Sequence, residues 1–282
     1  MIEQSLGKNY SRFVNVLIFI FPILINSVKV GGDIVLFILA VMGIFIAISK
    51  KLSPFNIKEI KVFSYLTAGY FIALCLAVLF SVKGTEQAHL LSRDLYFLFA
   101  PFIALAFYKA EINVSYLLAG VKAGLIVLAL ISFDQLQSGN TRPSGVMNAD
   151  VFGNLAVSMF FVVLVFFKDE SFKYKIFTLV SLLSGLFVIV ASGTRGAWLS
   201  FLLLLVGYLY FLYKQKTLSS ARSKIIAVLI IASVLSVVSL DQSVQNRAHL
   251  AYTQTAVWLS GVKTPNSVSM RLEMYKTAVD NI

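Results

Sequence analysis

Metal-seeking side chains are scarce in this sequence: 282 residues hold one cysteine and two histidines. Cys75 stands alone inside the apolar run SYLTAGYFIALCLAVLF, which excludes a disulfide framework and a thiol metal cluster. His89 and His249 lie far apart and fit neither HxxxH nor HExxH spacing, so no metal centre built from the usual ligands is expected. Charge is also sparse. Only 13% of the residues are charged, whereas 59% are hydrophobic and the mean hydropathy is +0.85. A soluble globular mixture is far more polar than this, so the chain reads as a polytopic membrane protein.

Apolar runs of near-bilayer length occur at Phe13–Ile25, Ile34–Ser49, Val62–Phe80, Leu95–Phe107, Tyr116–Phe133, Val151–Phe167, Ile176–Val190, Trp198–Tyr213 and Ile225–Leu240. Several are shorter than the ~20 residues of a usual span, so their helices extend into the flanking loops. The runs are apolar on both parities, whereas barrel strands alternate; the expected fold is therefore all-α, a transmembrane bundle of about nine helices. The first run follows Lys8 and Arg12 without a small-x-small cleavage site after it, and reads as a retained anchor. Residues 1–240 are expected to form the bundle, and residues 241–282 to begin a segment on the outer face.

Orientation follows from the basic residues. With the amino terminus in the cytoplasm, 14 of the 24 Lys and Arg fall on inner segments and nine on outer ones, with Lys122 inside a span. Of the 13 acidic residues, eight are outside. Topology and attraction to membrane lipids account for most of the net charge of +11, and nucleic acid is not an expected partner. The inner segments are mainly lysine. The outer ones place arginine at three marked positions, and a guanidinium fork grips phosphate or carboxylate through two hydrogen bonds where an ammonium is only a point charge.

Arg195 follows Ser192-Gly193-Thr194 and opens an apolar helix, where backbone N–H groups and the positive end of the macrodipole favour an anion. Arg142 lies in SGNTRPSGVMNADVFGN, a turn-rich loop with Asn148 and Asp150 placed to cap the next span. Arg271 lies in NSVSMRLEMYKTAVDNI, in the first turn of an amphipathic helix that Ser267 or Ser269 could cap and that runs through Met270, Met274 and Ala278. Three arginines near helix starts on one face would form a polyanion clamp if the fold gathers them. Each also has a plainer role, snorkelling to lipid phosphate or standing exposed in a loop. Lys122 is expected to snorkel inward, with lining a cavity as the alternative. The histidines read as interfacial or loop residues, and Trp198, Tyr210 and Tyr213 as interface anchors.

The elements SGTRGAWLS at a helix head, TRPSGVMNADVFGN before it and MRLEMY in an outer segment together resemble the O-antigen ligase family of bacterial inner membranes. The likeness covers nearly the whole chain in hydropathy and order of parts; SGTRGAWLS is its most specific piece and RLEMY a moderately specific one. It implies a metal-independent, cofactor-free glycosyltransferase with its active site facing the periplasm. The donor would be an undecaprenyl-pyrophosphate-linked glycan and the acceptor lipid A-core. Arg195 and Arg271 match the family arginines thought to hold the pyrophosphate, and Arg142 lies where a further contact is expected. The family's general base, a histidine beyond RLEMY, has no counterpart before Ile282, which implies a truncated chain that keeps the clamp without the base and puts its own activity in doubt. An O-antigen polymerase of the same superfamily, a transporter of an anionic lipid-linked glycan and a non-catalytic membrane scaffold are the other readings.

Overall fold

A computed structural model describes residues 2–81, 94–166, 172–214, 242–260 and 267–280. Ten helices occupy them: α1 (Ile2–Ser27), α2 (Gly31–Ser49), α3 (Lys58–Ser81), α4 (Tyr96–Lys109), α5 (Val114–Gln137), α6 (Ala149–Phe166), α7 (Phe172–Ala191), α8 (Arg195–Lys214), α9 (Gln242–Leu259) and α10 (Ser267–Asp280). Seven of these, α1–α3 and α5–α8, contain stretches long and apolar enough to cross a membrane, and α4 is a shorter apolar helix. Eight of the nine expected spans thus coincide with helices. The ninth, Ile225–Leu240, and the expected domain boundary at 240/241 lie outside the described residues.

Contacts divide the chain into Met1–Ser200 and Phe201–Ile282, a boundary that falls inside α8. In the first unit the helices adjoin in the series α3, α4, α2, α1, α5, with α6 and α7 packed on α5 and on each other. Val14, Leu17 and Ile18 of α1 bury themselves against Val35 and Leu39 of α2 and Ala106 of α4. Phe37, Phe45, Leu66, Phe80 and Leu183, by contrast, stand exposed on helices that are apolar around their whole circumference. Such helices in water would hide those side chains; in a bilayer the lipid covers them. The protein is therefore a polytopic helical membrane protein.

Lipid tails are as apolar as leucine, so membrane helices are held by close packing and hydrogen bonds rather than by exclusion of water. The α1–α5 contact uses Gly120 and Gly124, four residues apart on one face of α5. A Cβ at Gly120 would land on the Phe19 carbonyl, and one at Gly124 would stand 2.8 Å from the Pro22 carbonyl oxygen and 2.6 Å from Met159 Cε. The small-xxx-small spacing was legible in GVKAG. Lys122, two residues from Gly120, points away from α1 by helical geometry. The side chain, expected to snorkel inward or to line a cavity, is only 5% exposed, buried among the helices.

Parity places the connections. Residues 110–113 meet the early part of α1, where Asn15 Nδ2 donates to the Ser11 and Glu111 carbonyls (2.8 and 3.0 Å), Asn15 Oδ1 accepts from Asn113 N (2.8 Å), and Ser11 Oγ accepts from Glu111 N (3.0 Å). Residues 138–148 instead approach the far end of α1, where a Cβ at Gly145 would lie 3.2 Å from the Asn26 carbonyl oxygen. Helices that alternate in direction put these two connections at opposite ends of the unit, as the even and odd span numbering requires.

In the second unit, α9 and α10 pack together and Trp258 Nε1 donates to Glu273 Oε1 at 3.1 Å. The helix through RLEMY begins at Ser267, so Arg271 starts its second turn rather than lying in the first, and Ser269 is buried within it. Met270, Met274 and Tyr275 are all exposed.

Candidate functional site

Turn chemistry builds the 138–148 loop. Gly139 and Gly145 take positive φ (84° and 59°), a conformation in which a Cβ is strained, and the buried Pro143 stiffens the stretch between them. Gln135 at the end of α5 staples the loop: Oε1 accepts from Ser144 N (2.9 Å) and Gly145 N (3.1 Å), and Nε2 donates to the Gly145 carbonyl (3.0 Å). Asn140 Oδ1 accepts from Arg142 N at 3.0 Å, an Asx turn that aims the arginine. Asn148 is the cap of α6, its Oδ1 accepting from Asp150 N at 2.9 Å while its carbonyl accepts from Phe152 N.

The short 192–194 turn joins α7 to α8. Gly193 has φ 59°, and Ser192 and Thr194 on either side of it are buried. Thr194 ends the turn, and its carbonyl accepts from Trp198 N (3.2 Å) as the first bond of α8. Its hydroxyl does not cap the helix. Thr194 Oγ1 reaches across to the start of α6, donating to the Ala149 carbonyl at 3.0 Å. Trp198 Nε1 donates to the Ile189 carbonyl at 3.1 Å, fastening α8 back onto α7. Space at this crossing is tight: a Cβ on Gly153 of α6 would lie 2.6 Å from Ser192 Oγ and 3.1 Å from Ala197 Cβ.

Arg142 closes the arrangement by binding both loops. Its Nη2 donates to Asp150 Oδ1 (2.8 Å) and Thr194 Oγ1 (3.3 Å), and its Nε donates to the Ser192 carbonyl (3.2 Å). The arginine and Asp150 side chains are 39% and 42% exposed, so the ion pair opens to the surrounding medium on one side. Asn148 and Asp150 were both expected as caps; Asn148 is the cap, and the Asp150 carboxylate pairs with Arg142. Sequence reading missed Thr194, Gln135 and the Ser192 carbonyl as members of this network. No spacing rule connects positions 142, 150 and 194, although hydroxyl residues beside a positive-φ glycine were a signal for the turn.

Arg195 is the first residue of α8, and the turn that carries it is the one Arg142 holds. Its position at a helix amino terminus agrees with the sequence reading, and its side chain lies outside the described part. Arg271 is exposed on α10 in the second unit. His249 is exposed on α9, and His89 lies outside the described residues. No group of three or more His, Cys, Asp or Glu side chains is placed to hold a metal among the described residues.

Comparison with known proteins bears on these elements directly. The model of the O-antigen ligase family matches residues 177–282, from within α7 through the 192–194 turn, Arg195 and α8 to α10 and Arg271. The match supports the family resemblance carried by SGTRGAWLS and RLEMY, and with it the O-antigen ligase and polymerase superfamily. No curated protein matches the chain.

Proposed function

We propose that the protein is an O-antigen ligase of the bacterial inner membrane, transferring a glycan from undecaprenyl pyrophosphate to lipid A-core on the periplasmic face. The observation that carries the reading is the family match across Arg195 and Arg271, joined to a turn whose geometry Arg142 sets. In the reaction the acceptor hydroxyl oxygen bonds to the anomeric carbon, and the anomeric C–O bond to phosphate breaks with its electron pair passing to the pyrophosphate. The acceptor proton goes to a base, for which the resemblance implies a histidine beyond RLEMY.

The leaving group gathers negative charge as that bond breaks. Arg195 and Arg271 stabilise it, their guanidinium forks taking the place of a metal, and the first-turn N–H groups of α8 add the positive end of the helix dipole. Arg142 contributes in two ways: it fixes the 192–194 turn, and its guanidinium is a further contact for the pyrophosphate in this reading. The inner loops, rich in lysine, lie in the cytoplasm.

Arg195→Lys in the intact protein tests the assignment. The variant keeps charge and topology but loses the bidentate grip, so ligation should fall about a hundredfold or more with protein level unchanged. Lipopolysaccharide ladders read the outcome, and normal ladders would refute a catalytic Arg195. Full-length polymer left on undecaprenyl pyrophosphate identifies a ligase; single repeat units left there, with some reaching lipid A-core, identify the superfamily's polymerase instead.

A further inference from the structure

At the end of the first unit opposite Arg142 lies a cleft of about 630 Å³, between the start of α1 and residues 111–116. Lys8 and Arg12, one helical turn apart on α1, line it with Glu111, Asn15, Val114 and Tyr116. Its wall is built. Asn15 and Ser11 are buried and spend their polar atoms on the 111–113 backbone, which fixes the shape without using either cation. Among the described residues neither Lys8 nor Arg12 forms an ion pair with Glu111, and both are exposed.

We propose that this cleft binds the phosphate-diester headgroup of an anionic membrane lipid, with the phosphate between Lys8 and Arg12. Among the described lining residues, two cations against one carboxylate leave a surplus of a single positive charge, which a monoanionic diester balances and a dianionic phosphate overfills. The α5 amino terminus, capped by Asn113 Oδ1 accepting from Ser115 N (2.9 Å), turns its positive dipole end to the same space. Ile112, Val114 and Tyr116 at the rim are exposed, an apolar flank along which acyl chains can run while the headgroup stays in the cleft. The sites at the two ends are separate, and this one does not rest on the proposed ligase reaction.

The test is native mass spectrometry of the full chain released from equimolar phosphatidylglycerol and phosphatidylcholine vesicles. Phosphatidylglycerol should be retained in preference. Lys8→Gln and Arg12→Gln should each weaken retention about fivefold, and Glu111→Gln should strengthen it. The exposed side chains can be exchanged without touching the Asn15 joint, since Glu111 reaches that joint only through its backbone. Undiminished retention by the Lys8→Gln/Arg12→Gln double variant would overturn the site. Weaker binding by Glu111→Gln would overturn the anionic assignment in favour of a zwitterionic headgroup that uses the carboxylate. Displacement by millimolar inorganic phosphate would assign the same anion seat to a free ion rather than to a lipid, whereas resistance to it supports the lipid.

Discussion

The two ends of the first unit treat their cations in opposite ways. At one, Arg142 gives its Nε and Nη2 to protein: a carboxylate, a hydroxyl and a carbonyl take them up, and the position of the 192–194 turn follows. At the other, an asparagine does the joining and leaves Lys8 and Arg12 without an ion pair among the described residues, at an open cleft. A planar fork with directional donors suits the first task and surplus charge the second. Where a positive group stands near a helix start, its partners decide whether it shapes the fold or waits for a ligand.

Removing each joint in turn separates the ends. Asn15→Leu should have the largest effect on stability, because it removes the side-chain partner of the Asn113 N–H and the Glu111 carbonyl in a part-buried joint, at about 1 kcal/mol for each hydrogen bond lost. A lower thermal midpoint in detergent and lower membrane accumulation should follow, and an unchanged midpoint would mean that the joint is not structural. Thr194→Val should cost less stability, because it keeps the shape and Arg142 retains Asp150 and the Ser192 carbonyl. Its ligation should nonetheless fall on the order of 10–100-fold through a displaced Arg195, as small misplacements at reacting centres do. Equal losses of stability and activity would erase the contrast between the ends.

The smallest expected effect compares two asparagines in the same role. Asn113 caps α5 and Asn148 caps α6, each side chain accepting from the second helical N–H. Replacing either by alanine should cost about 1 kcal/mol. Only Asn148→Ala should also reduce ligation, because its helix start carries Asp150 and the Ala149 carbonyl on which Arg142 and Thr194 rest. Matched stability with unmatched activity is the signature, readable from melting curves and lipopolysaccharide ladders on the same pair.

Helical character, helices at eight of the nine apolar runs and the helix starts at Asn148 and Arg195 were legible in the amino-acid order. Apolar runs and turn residues act over a few positions, and bilayer thickness sets their length. SGTRGAWLS and RLEMY carried the family resemblance for the same reason, since each is contiguous. Tertiary structure alone decided which partner each polar group takes. Asp150 could cap a helix or neutralise an arginine, and the approach of the 192–194 turn made it do the second. Lys122 could snorkel inward or line a cavity, and only helices packed around α5 decided how deeply it is buried. Hydrogen bonds and ion pairs act over about 3 Å, so a residue fifty positions away counts as a neighbour only after the chain has folded.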